Sequence, residues 1–155
     1  MARATWYRLD NVGKFYSSQA GSSAQTVFRY AATMADDVDP AALQRALDRT
    51  VDVFPGFNVC LRSGMFWHYL EQAPRPPAVT QENLPICFGL HVDAKSVLIR
   101  VSWFRARINL EVSHMVSDGR GSLSFFKALL YAYVEERYGV EGLPQEYDGS
   151  DHQKA

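Results

Sequence analysis

From Ala106 to Ser113 the chain alternates. Ala106, Ile108, Leu110 and Val112 fall on one parity, and Arg107, Asn109, Glu111 and Ser113 on the other. A period of two predicts a strand with one buried face. His114 continues the apolar parity at the point where the alternation stops. Just upstream, Val97, Ile99, Val101 and Trp103 alternate with Ser96, Leu98, Arg100 and Ser102, so a preceding strand turns near Phe104-Arg105 into this one. Residues 27–34 give a further strand and residues 5–9 a short one. Residues 10–23, with Gly13, Gly21 and tandem serines, read as loop.

The period changes in two places. Asp39 before Pro40 is an N-cap and first-turn pair, and Leu43, Leu47, Thr50, Val51 and Phe54 then recur on one helical face. A second helix is predicted over roughly residues 122–138, amphipathic through Leu123, Phe126, Leu130, Tyr133 and Val134, with Gly139 placed to stop it. Residues 57–62 and 65–71 predict a hairpin closed at Ser63-Gly64. Residues 72–85 carry Pro74, Pro76, Pro77 and Pro85 and should run extended as a connection. The pattern predicts an α+β two-layer sandwich, a mixed and mostly antiparallel sheet with two main helices on one face. The domain is expected over residues 1–142, with a polar tail or truncated linker over 143–155.

A chain of 155 residues with 47% apolar residues can bury a sizeable core. Its 16 basic and 17 acidic residues are dispersed, which leaves no footprint for nucleic acid or an anionic membrane. No apolar run approaches the about 20 residues that span a bilayer, and the first residues lack a signal-peptide core, so a cytoplasmic protein is expected. Cys60 and Cys87 form no C-x-x-C pair and read as packed thiols.

Candidate chemistry centres on Ser113-His114-Met115-Val116-Ser117-Asp118-Gly119, an imidazole at a strand end followed by a carboxylate and a glycine at a helix start. Neutral imidazole near pH 7 can serve as a general base. The spacing His114-x-x-x-Asp118-Gly119 resembles the H-H-x-x-x-D-G signature of the chloramphenicol acetyltransferase-like superfamily, which includes peptide-synthetase condensation domains. The helix opened by Asp39-Pro40 and the following Phe54-Pro55-Gly56-Phe57 resemble the segment that precedes the signature in bacterial alcohol acetyltransferase-like members. The resemblance covers nearly the whole chain, as the amino-terminal half of a two-half enzyme.

It implies a transfer of an acyl group from a coenzyme A or carrier-protein thioester to an alcohol or amine. That thioester is a co-substrate, with no permanently bound cofactor. His114 would be the base, Asp118 an architectural carboxylate paired with an arginine, and Gly119 the residue that keeps the backbone close to the thioester arm. Ser113 stands where the first histidine of the signature falls, and Arg62 is the nearest candidate partner for Asp118. A lone half implies a homo-oligomer or association with a carboxy-terminal half. The alternative is a non-catalytic interaction or ligand-binding module of the same fold.

Other readings of these residues carry less. His68 lies within the hairpin, His91 precedes Val92-Asp93, and His152 belongs to the tail. His114 and Asp118 lack further ligands at metal-binding spacing, so no metal is expected. Ser117 and Ser122 lack a G-x-S-x-G elbow, and Arg120 reads as a solvated arginine.

Overall fold

The computed structural model describes residues 6–7, 27–83, 98–116 and 119–139. The described residues form two sheets and two helices: β1 (Trp6–Tyr7), β2 (Val27–Thr33), α1 (Pro40–Val53), a 3-10 turn (Pro55–Phe57), β3 (Val59–Ser63), β4 (His68–Gln72), β5 (Thr80–Gln81), β6 (Ile99–Phe104), β7 (Arg107–Ser113) and α2 (Gly119–Tyr138). The larger sheet has the order β2-β7-β6-β5 and the smaller one β1-β4-β3. All pairings are antiparallel except that of β5 with β6, which makes the large sheet mixed. The expected α+β architecture is the observed one.

α1 starts where the sequence placed it. The Asp39 carboxylate accepts hydrogen bonds from the Ala41 and Ala42 amides, and Pro40 occupies the first turn. Ala42, Leu43, Ala46, Leu47, Thr50 and Val51 are buried along one face. Asp39→Ala is therefore expected to lower stability by about 1 kcal/mol. Urea denaturation followed by circular dichroism checks this through a lower midpoint at unchanged slope.

α2 ends at Gly139, whose φ of 62° would strain any other residue and whose amide bonds the Glu135 carbonyl at 2.8 Å. Its buried stripe departs from the amphipathic reading. Leu123 is exposed, while Ser122, Phe125 and Leu129 are fully buried. The helix serves two neighbours at once. Phe126 stacks on Tyr30 of β2, and Phe125 meets Phe54 and Phe57 beyond the end of α1. A helix that touches both a sheet and a second helix needs a wider apolar arc than the single stripe predicted.

The hairpin closes later than predicted. β3 and β4 pair from Val59↔Gln72 to Ser63↔His68, and Gly64 to Trp67 form the loop. The Gly64 amide donates to the Trp67 carbonyl at 2.7 Å, and a Cβ on Gly64 would lie 3.1 Å from that oxygen. The bare glycine allows this closure. At the β6–β7 turn, Arg105 takes a positive φ of 52°, held by the Arg105 and Ala106 carbonyls, which accept from the Val38 and Met34 amides. In the Pro-rich connection residues 73–79 form neither helix nor strand and bend at 74–75, Thr80–Gln81 adds the parallel edge strand β5, and Leu84 and Pro85 lie outside the described residues.

Candidate active site

β7 lies inside the large sheet, bonded to β2 on one side and β6 on the other, so its last residue is fixed by two ladders. Ser113 ends it. The Ser113 amide donates to the Leu98 carbonyl, its hydroxyl accepts from the Met115 amide at 3.3 Å, and its carbonyl accepts from the Val116 amide at 3.0 Å. These bonds wind the chain into a turn over residues 114–116, with Met115 anchored in a small core of Val59, Leu61, Leu70 and Leu98. His114 is left half-buried at the rim, its ring 4.6 Å from that of Phe28 on β2. Phe28 and Tyr30 share the sheet face that meets α2, so His114 lies on the helix-facing side. That is the side its parity predicted.

Gly119 opens α2 three residues beyond the turn. Asp118 and Ser117 lie outside the described residues, as do Cys87, His91, His152 and residues 140–155. Arg62 sits on β3, where its Nε donates to the Glu71 carboxylate of β4 at 2.6 Å. That hydrogen bond raises the guanidinium pKa above its ordinary value. Cys60 is buried and His68 is exposed. Among the described residues no three His, Cys, Asp or Glu side chains gather to hold a metal ion, and no helix is long and apolar enough to cross a membrane.

The other parity of β7 departs from the expectation of one buried face. Asn109, Glu111 and Ser113 are buried as completely as Leu110 and Val112. Glu111 lies directly across from Arg29 on β2 and Arg100 on β6, and bonds Arg100 Nε at 2.5 Å. Arg29 in turn bonds Glu82 at 2.6 Å, and Arg107 bonds the second oxygen of Glu82 at 2.5 Å. Asn109 donates to Ser102 across the ladder. The sheet thus carries an apolar core on one face and a charge network on the other. Its signal was present in the sequence as arginines and glutamates at matching parities of three strands, but their meeting depends on register.

Burial alone would raise the Glu82 pKa, yet its hydrogen bonds to Arg29 and Arg107 prevail and hold the carboxyl below the ordinary carboxylate range. A depressed folded-state pKa adds stability that is complete above the unfolded value and is lost as pH falls through the folded one. Denaturant midpoints should therefore drop on acidification below about pH 4.5, and Glu82→Gln should flatten that part of the profile. An unchanged slope in the variant would remove Glu82 from the acid response.

No family model and no curated protein matches this sequence. Solved structures do match. The starter condensation domain of rhizomide synthetase superposes with a TM-score of 0.69 over 92% of this chain at 12% identity. The fold is that of condensation domains. The first condensation domain of the calcium-dependent antibiotic synthetase, in complex with a substrate analogue, matches 92% of the chain at a TM-score of 0.67 and 16% identity. The X-domain from teicoplanin biosynthesis, in its complex with OxyB, gives 0.68 over 93% at 18%. The chain spans 40%, 42% and 36% of these three chains, a little over a third to two fifths of each. At such identities the condensation-domain likeness is one of fold.

Proposed function

We propose that this chain is the histidine-bearing, amino-terminal half of an acyltransferase that moves an acyl group from a thioester to an alcohol or amine. The observation that carries this reading is the placement of His114. It follows an interior strand of a condensation-domain fold, half-buried on a turn built by Ser113 and Met115, with its ring tilted against that of Phe28. In the reaction the imidazole takes the proton of the acceptor hydroxyl or amine as its oxygen or nitrogen bonds the acyl carbon. The C–S bond then breaks and the proton passes to the departing thiolate. A base so placed is worth about 10²–10⁴ in rate.

Asp118 and Gly119 form the rest of the signature, and Gly119 opens α2. The remaining part of the fold, supplied by further chain or by a second subunit, would close the channel over His114. The donor is a coenzyme A or carrier-protein thioester. The test incubates the complete enzyme with acyl-coenzyme A and acyl-carrier thioesters and with alcohol and amine acceptors. Release of free thiol and an ester or amide product by mass spectrometry are expected, and thiol release no faster than in buffer overturns the reading.

A second reading, a non-catalytic docking module, has a specific support: the X-domain of the same fold is found in complex with another protein. That reading expects thioester or partner binding by calorimetry with no turnover.

A further inference from the structure

Three consecutive large apolar side chains stand in solvent at the end of the β3–β4 hairpin: Met65 is 89% exposed, Phe66 85% and Trp67 65%. We propose that this tip, Gly64 to Trp67, inserts into the apolar layer of a phospholipid bilayer and docks the protein peripherally on it. The inference is independent of the acyl-transfer reading.

The tip is unlike a protein-binding face in area and shape. Its three side chains offer about 450–750 Å² at the usual 150–250 Å² per large side chain. A stable protein partner covers about 800 Å² on each side. Among the described residues the other exposed large apolar side chains, Val53, Phe104, Leu123 and Tyr138, belong to other elements, α1, β6 and α2. A run of three successive residues around a turn is also apolar to the front, back and end. Insertion into a fluid apolar medium calls for such a shape, whereas a protein groove calls for one face.

The backbone suits that medium as well. The loop is closed by the Gly64 amide on the Trp67 carbonyl, and the next residues pair as Ser63↔His68, so the neck of the tip enters with internal bonds made. No residue from Gly64 to Trp67 is charged. Trp67, its indole along Gly64, ends the tip, and behind it come groups that favour the headgroup layer: exposed His68, half-buried Tyr69, and Arg62 neutralised by Glu71. With that ion pair internal and the chain near neutral, attachment would rest on apolar insertion and not on attraction to anionic lipid.

Leu98 joins β3 to β7 by donating to the Val59 carbonyl and accepting from the Ser113 amide, and Met115 packs on Val59, Leu61 and Leu70. From Val59 to Ser63 the strand runs about 13 Å, which sets the tip off from this junction of β3 with β7.

The test is co-sedimentation of the full chain with phosphatidylcholine vesicles, with tryptophan emission read against lipids brominated along the acyl chain. The wild type should bind, show quenching, and lose less than twofold in affinity between 0.1 and about 0.5 M salt, the range over which exposed charges are screened. Met65→Ser/Phe66→Ser should reduce binding at least tenfold while its melting curve stays that of the parent, since both side chains are exposed. Failure to bind vesicles, binding undiminished in the double variant, or a dimer in which Trp67 resists acrylamide without lipid would each overturn the proposal. The last would assign the tip to a second copy.

Discussion

Replacing His114 by alanine is expected to lower acyl transfer by the complete enzyme about 10²–10⁴-fold, the typical worth of a positioned general base. The fold should hardly notice. The ring is half-buried at a sheet rim, 4.6 Å from that of Phe28. An aromatic contact of that kind contributes about 0.5–1.5 kcal/mol. The two consequences therefore separate by measurement: thioester turnover collapses, while the denaturant midpoint moves little. A base acts in the transition state, so kcat and kcat/KM should fall together with KM nearly constant. Turnover within a few-fold of the parent would show that His114 is not the base.

The largest structural effect is expected at Glu111. Its side chain is 3% exposed, between the guanidinium groups of Arg29 and Arg100. Glu111→Ala removes the carboxylate those groups share and leaves positive charge in a desolvated layer, which for a buried pair costs about 3–5 kcal/mol. For a domain of this size that is a large part of the total stability. The variant should express poorly or melt well below the parent. Changing all three members to apolar residues of similar volume should recover much of the loss, because replacing a buried ion network outright is often neutral or stabilising. Chemical denaturation of the single and triple variants distinguishes the cases, and a single variant as stable as the parent would show that the network is not desolvated.

Much of this fold was legible along the chain because its signals are local. Asp39-Pro40 makes its cap with the next amides, the alternation through Val112 needs only a strand, and Gly139 stops α2 by its own backbone freedom. The side of the sheet on which His114 falls was likewise set by counting in twos from Leu110. Three readings needed the third dimension. The hairpin turn moved from Ser63-Gly64 to Gly64–Trp67 because Leu61 opposite Leu70 fills the small core, a pairing that places Met65, Phe66 and Trp67 outside it. The stripe on α2 widened because two neighbours press on it from different directions.

The charged parity of β7 shows the division most clearly. Sequence alone gives Arg107, Asn109 and Glu111 as the polar side of a strand, and polarity by itself reads as exposure to water. The burial of Asn109 and Glu111 was decided by register: Glu111 stands across from Arg29 and Arg100, strand positions separated from it by 82 and 11 residues. Opposite charges that meet in a ladder can leave water together, whereas each alone could not. A sequence determines which side chains a strand presents to each face, since that follows from covalent geometry. Which partners meet them, and so whether a charge lies in water or in the interior, is settled only when the sheet assembles.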